Sequence, residues 1–317
     1  MSTQVVGAAG VPDRRVRIYE VGPRDGLQNE ATPIATVDKR RFVEALVAAG
    51  LRDIEATSFV RPDRVPQLAD ADALLRSLPR PGGVRYPVLV ANRAGLDRAA
   101  AAGADAIAVF TAATDAFAER NIGMAVRASL DAFAPLLAEA GQRGWWRRAY
   151  VSTAFGCPYA GRVDPGLPVE VALRLLELGA DEVCFGDTIG VAVPGQVAEL
   201  TGRALDAGIP VERIAHHFHD TRGTAIANVV AGLTAGVRTF DASTGGTGGC
   251  PYAPGAAGNL ATEDLVYLLD AEGYEHGVDL AGVLAAAHLV ASLLGRPLAS
   301  KVGQAGGWDA VRGDARG

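Results

Sequence analysis

Two histidines separated by one residue, His217 and His219, are the residues of this sequence best suited to metal chemistry. The chain has five histidines, and three of them fall within residues 216–219, at the end of an apolar run that is typical of a strand. Because alternate side chains of a strand share a face, both imidazoles would point the same way. Neutral imidazole is a common ligand of divalent metals. Two polar residues at the end of a core strand would give the same pattern, so this pair alone leaves both interpretations open.

Asp25 is the natural third ligand, because it directly follows another predicted strand. Two histidines and a carboxylate form an open site that leaves coordination positions for substrate or water. Nitrogen and oxygen ligands without a thiolate suit Mg, Mn, Co or Zn, and the residues do not choose among them. The Asp-Gly step at residues 25–26 would also suit a simple turn.

Arg24 places a fixed cation beside Asp25 and could stabilise an oxyanion that develops on a substrate. Its alternative role is an ion pair with Glu55 or Asp187, which are also predicted at strand ends. These two carboxylates could instead orient Arg24 and the histidines around a metal. The role of each carboxylate stays open at this point.

Cys250 lies in a glycine-rich loop, residues 245–252, that could fold over a substrate as a lid. A cysteine at the tip of such a loop is exposed, and we expect Cys250 to be catalytic. A single cysteine is more often inert filler. Cys157 is expected to be structural or to line the pocket, and Cys184 to lie in the core.

Lysine is almost absent, with only Lys39 and Lys301 in the chain. Lys39 falls on a predicted helix and Lys301 near the C-terminus, so neither lies on a predicted strand. A Schiff-base aldolase needs a lysine inside its barrel. A barrel with this sequence that breaks carbon–carbon bonds would therefore use a metal.

Short apolar runs alternate with longer helical patterns along the chain, which predicts an α/β protein of the (β/α)₈ TIM-barrel class with extra C-terminal helices. A doubly wound sheet is the alternative, but residues 21–26 do not form its G-x-G-x-x-G loop. The predicted strands are Val16–Val21, Asp53–Thr57, Tyr86–Ala91, Ala106–Thr111, Ala149–Ala154, Glu182–Gly186, Arg213–Phe218 and Thr239–Ala242. The predicted helices include Thr36–Ala49, Val65–Ser77, Met124–Ala140, Pro168–Leu178, Pro194–Ala207, Thr224–Ala235, Leu260–Ala271 and Leu280–Leu294. Glycines expected to end helices are Gly50, Gly103, Gly141, Gly179, Gly208 and Gly236.

The organisation that follows is an extended or disordered N-terminus over residues 1–15, one barrel domain over residues 16–305 and a tail over residues 306–317. The domain includes the C-terminal helices from about residue 260.

Composition restricts the partners of this 317-residue chain. Its apolar content of 49% and charged content of 21% indicate a globular protein with a large core. A net charge of -6 gives no electrostatic argument for binding nucleic acid or an anionic membrane. The N-terminal residues lack a secretory signal, and no apolar run reaches about 18 residues. Three widely spaced cysteines fit a reducing cytosol, so we expect a cytoplasmic protein.

Six motifs follow one another along the chain: Val21–Glu30, Ile54–Val60, Gly186–Gly190, His217–Asp220, Gly248–Tyr252 and Gly258–Val266. Any one of them is weak, but all of them in order are highly specific. Through these motifs the chain resembles hydroxymethylglutaryl-CoA lyase from about residue 16 to residue 304. The Leu-Gln-Asn-Glu extension of the first motif and the glycine-rich loop with its cysteine favour the lyases over the related Claisen-type synthases.

The resemblance implies roles for individual residues. Arg24 would polarise the thioester carbonyl and, with Gln28, bind substrate. Cys250 would be the catalytic cysteine of the loop, with Glu55 and Asp187 as supporting acids. We expect Mg or Mn as the ion, with Zn or Co as alternatives, and a homodimer. The implied metal ligands are Asp25, His217, His219 and Asn259.

The implied reaction is cleavage of hydroxymethylglutaryl-CoA to acetoacetate and acetyl-CoA, as in leucine degradation. Small-residue runs at Ala112-Ala113 and Ala253–Ala257 could leave room for a larger C3 substituent, so a branched, isoprenoid-derived glutaryl-CoA is an alternative substrate. A Claisen-type acyl-CoA synthase would usually carry a long C-terminal region. A non-catalytic binder would not need Arg24, Asp25 and Cys250.

Overall fold

Parallel strands joined in a ring form the centre of the computed structural model, which describes residues 13–248 and 258–307. The strands of this ring are β1 Arg17–Glu20, β2 Asp53–Ile54, β3 Thr57–Ser58, β4 Val88–Leu89, β5 Ala106–Ala112, β6 Trp146–Ser152, β9 Glu182–Asp187, β10 Ile214–Phe218 and β11 Thr239–Ala242. Hydrogen bonds connect them in the order β2-β1-β11-β10-β9-β6-β5-β4-β3. All pairings in this sheet are parallel. Gly156–Cys157 (β7) and Gly161–Arg162 (β8) form a separate small hairpin.

The predicted strand Asp53–Thr57 is found as two short strands, β2 and β3, on either side of Glu55-Ala56. The backbone N–H of Glu55 donates to the Glu20 carbonyl at 2.8 Å, and that of Ile54 donates to the Arg85 carbonyl at 3.1 Å. The interrupted segment therefore bonds on one side to β1 and on the other to the chain leading into β4. This closes the ring with eight strand positions and confirms the predicted (β/α)₈ barrel.

Helices cover the outside of this ring, where each buries an apolar stripe against the strands. They are α1 Thr36–Ala48, α2 Ala71–Ser77, α3 Arg93–Ala101, α4 Asp115–Ile122, α5 Val126–Gln142, α6 Gly166–Glu177, α7 Pro194–Asp206, α8 Ala225–Thr234, α9 Thr262–Ala271, α10 Leu280–Leu294 and α11 Lys301–Ala305. No helix within the described ranges has the length and apolar character needed to cross a membrane.

Most predicted helix ends lie within two residues of the observed ones, and two predictions are wrong for a local reason. The predicted helix Val65–Ser77 is a 3₁₀ turn at Pro66–Leu68 followed by α2, because Pro66 supports a tight turn and Asp70 is not helical. Gly141 does not end a helix, because α5 continues to Gln142 and Gly144 takes the positive φ of 73°.

The C-terminal helices begin at Thr262, close to the predicted residue 260, and α10 packs against α1 at the start of the barrel. Asp279 caps α10 by accepting the N–H of Gly282 at 2.9 Å, and its own N–H donates to the Ala49 carbonyl at 2.7 Å. A Cβ at Gly282 would lie 2.9 Å from the Ala49 Cβ, so glycine permits this close approach of α10 to α1. The structure describes only Asp13–Arg15 of the predicted extended N-terminus. The backbone of Arg15 forms an isolated parallel β-bridge with that of Glu275.

Candidate metal and active site

The carboxyl ends of the barrel strands bring Asp25, His217 and His219 together. One potential ligand atom from each lies within 4.8 Å of the others, and the two imidazole centroids are 5.1 Å apart. Both histidines belong to the end of β10, where alternate residues share a face. His216, the residue before His217, points to the other face, where its Nε2 lies 3.0 Å from Thr201 Oγ1 in a hydrogen bond. The structure therefore assembles one carboxylate and two imidazoles at the mouth of the barrel.

A tight turn after β1, Gly22–Gly26, positions Arg24 and Asp25. The backbone N–H of Asp25 donates to the Val21 carbonyl at 2.8 Å. The turn is held from below by buried Glu20, whose carboxylate accepts the N–H of Gly22 at 2.8 Å and the N–H of Thr244 at 2.9 Å. Glu20 thus connects the turn to residues 243–248, the root of the glycine-rich loop.

Asn259 joins this group through its amide. Its Nδ2 donates to Asp25 Oδ2 and to the Thr247 carbonyl, each at 2.9 Å. Its Oδ1 and the Nδ1 of His219 are buried, and neither has a hydrogen-bond partner among the described residues. Buried polar atoms are rarely left unpaired, because the loss of hydration is costly. These two unpartnered atoms, an acceptor oxygen and a ring nitrogen, lie beside the carboxylate of Asp25, and the three groups together fit a divalent cation.

The charges at the site keep two of these groups in their ligating forms at neutral pH. Burial would raise the pKa of Asp25, but Arg24 and the two histidines outweigh it and lower that pKa to about 2. Burial and the neighbouring His217 lower the pKa of His219 to about 4. Burial also acts to lower the pKa of His217, but its hydrogen bond to Asp241 prevails, so that pKa is raised.

Arg24 pairs with Glu55 and Asp25, which decides between the two ion pairs considered for it. Its Nε donates to Glu55 Oε1 at 2.7 Å, and its Nη1 donates to Asp25 Oδ1 at 2.5 Å. The phenol of Tyr150 donates to the other oxygen of Glu55. Only 7% of Arg24 is exposed. The guanidinium is therefore held between two carboxylates at the edge of the cavity.

Asp187 does not reach Arg24. Its two carboxylate oxygens accept the backbone N–H groups of Val191 at 2.9 Å and Ala192 at 3.0 Å. Burial raises its pKa to about 6, against the opposing effect of these two bonds. In this structure Asp187 fixes the turn after β9, and its contacts give no direct support to a catalytic role.

A cavity of about 790 Å³ opens over the site. Arg24, Asp25, His217 and His219 form one part of its wall, and Gln28 also lines it. Three arginines lie in the wall as well: Arg61, Arg64 and Arg120. A further part is apolar and contains Leu89, Phe110, Phe117, Ile122, Met124 and Phe133. The cavity therefore offers both a charged reaction centre and apolar surface to one ligand.

Comparison with known proteins identifies the family. A family model described as HMGL-like matches residues 15–290. The chain belongs to the HMGL-like family. This confirms the resemblance read from the motifs, and the charged residues at the barrel mouth are the candidate active site of an HMGL-like protein.

Relatives of this HMGL-like chain match it over nearly their full length. Hydroxymethylglutaryl-CoA lyase of Pseudomonas mevalonii is 48% identical, with 92% of this chain and 96% of the relative covered. The 3-hydroxy-3-isohexenylglutaryl-CoA/hydroxy-methylglutaryl-CoA lyase of Pseudomonas aeruginosa is 44% identical, with coverage of 92% and 97%. The crystal structure of the HMG-CoA lyase of Bacillus subtilis has a TM-score of 0.90 and 43% identity, covering 92% of this chain and 98% of that one.

Sequence reasoning missed two residues of the HMGL-like site, Asp241 and Tyr150. Asp241 Oδ2 lies 3.1 Å from His217 Nδ1, and Tyr150 bonds to Glu55. The sequence does carry a signal for Asp241, because it places a carboxylate inside the short core strand β11. An unpaired buried charge is costly, so such a carboxylate needs a partner. No signal distinguishes Tyr150 from an ordinary core tyrosine. Cys250 lies outside the described residues, so its catalytic role stays a prediction.

Proposed function

We propose that the protein cleaves (S)-3-hydroxy-3-methylglutaryl-CoA to acetoacetate and acetyl-CoA. It is a carbon–carbon lyase of the HMGL-like family. The observation that carries the proposal is the placement of Arg24 beside Asp25, His217 and His219 in the wall of one large cavity. This puts a guanidinium and a set of metal ligands where one substrate can contact both.

The four residues proposed to hold a divalent cation are Asp25, His217, His219 and Asn259. Their nitrogen and oxygen atoms, without thiolate, support Mg²⁺ or Mn²⁺, with Zn²⁺ or Co²⁺ as alternatives. When bound, such a cation would act as a Lewis acid toward the substrate's tertiary hydroxyl and lower its pKa.

Arg24 performs the charge stabilisation in this proposal. Removal of the hydroxyl proton by a base lets the electron pair of that O–H bond form the ketone of acetoacetate. The C2–C3 bond then breaks, and its electrons move to acetyl-CoA as an enolate. The Arg24 guanidinium donates to the enolate oxygen, and a proton delivered to the carbon completes acetyl-CoA. Cys250 is our candidate donor of that proton, and Gln28 is our candidate for binding the substrate near Arg24.

The test is to incubate metal-free and Mn²⁺- or Mg²⁺-loaded protein with the substrate and measure acetoacetate. We expect acetoacetate only with metal, and we expect a chelator to abolish it. An Arg24→Ala variant that still binds Mn²⁺ serves as the matched control, because it separates metal loading from catalysis. If neither of these ions supports cleavage, Zn²⁺ and Co²⁺ are tested in the same way. Absence of acetoacetate with all four ions would refute the proposal.

A 3-hydroxyglutaryl-CoA with a larger C3 substituent is the second candidate substrate. The apolar part of the cavity wall favours it, and so does the similarity to the relative named for an isohexenyl substrate. Ala112 and Ala113 are buried but do not line this cavity, and residues 253–257 lie outside the described ranges, so the two small-residue runs add no support. The same assay with the isohexenyl compound, compared by kcat/KM, decides between the two.

The wider setting belongs to the proposal as well. We propose a homodimer, on the strength of the family resemblance, and sedimentation velocity tests it. Cys157 and Cys184 are both buried free thiols, which supports a reducing, cytoplasmic location. The products acetoacetate and acetyl-CoA support a role at the end of leucine degradation.

A further inference from the structure

Arg148 is a wholly buried arginine inside the barrel that the proposed reaction does not use. It lies on β6 with 0% exposure and takes no part in the cavity wall. Its guanidinium carbon is 3.7 Å from the ring centroid of Tyr19 and 4.9 Å from that of Tyr150. A buried charge is costly unless it is paired, so this residue needs a reason to be there.

Its strongest contact leads toward the metal ligands. Arg148 Nη2 donates to Asp241 Oδ1 at 2.5 Å, and the other oxygen of Asp241 lies 3.1 Å from His217 Nδ1. Asp241 has 0% side-chain exposure, so water does not compete for these bonds. A carboxylate that accepts from Arg148 on one oxygen presents its other oxygen as an acceptor to the imidazole. His217 then carries its ring hydrogen on Nδ1 and leaves the Nε2 lone pair free.

Packing fixes the guanidinium that anchors this carboxylate. The two tyrosine rings hold its plane, and Glu182 Oε1 lies 3.1 Å from its Nε on the side toward the barrel floor. A planar, constrained fork positions a carboxylate more closely than a flexible ammonium does. Asp241 therefore has one favoured position, and so does the imidazole bonded to it.

We propose that Arg148 is a positioning residue for the metal site: by anchoring Asp241, it fixes the Nδ1–H tautomer and the ring orientation of His217. Ligating histidines usually donate their second ring N–H to an acceptor, and loss of that acceptor weakens metal binding. Here the acceptor itself depends on a residue that touches neither the histidine nor the cavity. The inference requires the proposed metal site but not the identity of the acyl-CoA.

The rival explanation is that Arg148 only neutralises Glu182 and Asp241 in the core. Mn²⁺ affinity, measured by electron paramagnetic resonance without substrate, separates the two. We expect Arg148→Met and Asp241→Asn each to weaken Mn²⁺ binding by about 10- to 100-fold. The double variant should lose no more than the larger single loss, because both changes remove one pathway. Losses that multiply in the double variant would show independent roles and overturn the proposal.

Arg147→Met is the matched control, because Arg147 is the neighbouring arginine on β6 and pairs instead with Asp181 at 2.8 Å. It should leave Mn²⁺ affinity unchanged. Nitrogen-15 NMR of metal-free protein reads the tautomer directly: we expect Nδ1–H at His217 in the parent protein and a shift toward Nε2–H in Arg148→Met. An unchanged tautomer and affinity in a folded Arg148→Met protein overturns the proposal. If circular dichroism shows that this variant does not fold, Arg148→Gln is judged by the same criteria.

The binding measurement uses Mn²⁺ without an acyl-CoA. Failure of the positioning role of Arg148 is therefore distinguishable from failure of the proposed lyase activity. A parent protein that binds Mn²⁺ but cleaves no acyl-CoA would refute the proposed function and leave the positioning role of Arg148 to be decided by the variants.

Discussion

Arg24 is held between two carboxylates, so its charge is balanced before a substrate binds. Among the described residues, its Nε donates to Glu55 and its Nη1 donates to Asp25. Nη2 is therefore the nitrogen best placed to serve a substrate oxygen. A donor fixed in this way loses little in reorganisation when negative charge develops, and this is how oxyanion stabilisation lowers a barrier. Asp25, which bonds to Arg24, is also a proposed ligand, so the metal and the guanidinium would share one carboxylate.

Arg24→Ala tests this at the residue scale. Loss of one oxyanion-stabilising donor typically costs roughly 10²–10³ in rate, and we expect kcat to fall by at least that factor. KM should change far less, because the lost interaction strengthens in the transition state. Steady-state kinetics on Mn²⁺-loaded protein provides the measurement. Arg40→Ala, a change at an exposed arginine paired with Glu44 on α1, is the control. Near-normal turnover of a folded, metal-loaded Arg24→Ala protein would contradict the role.

The turn Gly22–Gly26 and the loop root at residues 243–248 behave as one element around the site. Gly26 leaves no room for a side chain, because an added Cβ would lie 2.7 Å from Ser243 Oγ and still closer to Thr247 Oγ1. Those two hydroxyls bond to each other at 2.6 Å, and the Thr247 carbonyl accepts from Asn259. A displacement of the turn would therefore reach Asp25 and Asn259 together.

The sequence predicts the elements better than the contacts between them. Short apolar runs and the glycines before them identify every barrel strand position, because parallel strands buried on both faces are apolar along most of their length. The break at Glu55-Ala56 follows no local pattern, since the N–H groups of these two residues donate to the carbonyls of Glu20 in β1 and Pro87, just before β4. The bounds of the short helices α3 and α4 are not predicted, because two turns or so carry too little apolar periodicity. Only the C-terminal end of α3 is indicated, by Gly103.

Gly26→Ala tests the coupling of turn and loop root. Inserting a methyl group into a packed site typically costs about 1–3 kcal/mol, which we expect as lower stability in denaturant unfolding. Because Asp25 and Asn259 both move, Mn²⁺ affinity should fall as well. Gly195→Ala is the matched control: Gly195 is the second residue of α7, and its added Cβ would have no atom within 4 Å. A Gly26→Ala protein with parental Mn²⁺ affinity would show that turn and loop root are independent.

At the scale of the whole molecule, the barrel interior holds buried charges from floor to mouth. A series of ion pairs between opposite charges connects the floor to His217 through Arg17, Glu182, Arg148 and Asp241. The metal ligands predicted from chemistry alone, Asp25 and the two histidines, are those that stand at strand ends in the sequence. Asp241 and Arg148 were not predicted, because partners from different strands become adjacent only when the ring closes. Asn259 came from the family resemblance, since no local pattern marks an asparagine as a ligand.

One buried carboxylate makes stability of the whole fold depend on pH. Glu263, at the start of α9, has 0% exposure and accepts the N–H of Gly245 at 2.9 Å through Oε2. Its other oxygen has no partner among the described residues, and burial raises its pKa from 4.5 to about 7. A carboxyl group whose pKa is higher in the folded than in the unfolded state stabilises the fold while it is protonated. Its contribution to the free energy of unfolding is fully present below pH 4.5, the pKa of the unfolded state, and is lost as pH rises through about 7.

Glu263→Gln removes this titration and keeps an acceptor for the N–H of Gly245. We expect the parent protein to lose roughly 3 kcal/mol of unfolding free energy relative to Glu263→Gln between about pH 4.5 and pH 7.5, at about 1.4 kcal/mol per pKa unit. Urea unfolding across that range measures the difference, which cancels the titration of groups common to both proteins, such as Asp187. Glu199→Gln, at an exposed glutamate on α7 paired with Arg203, should run parallel to the parent. A Glu263→Gln curve that also runs parallel to the parent would show that Glu263 ionises freely in the folded protein.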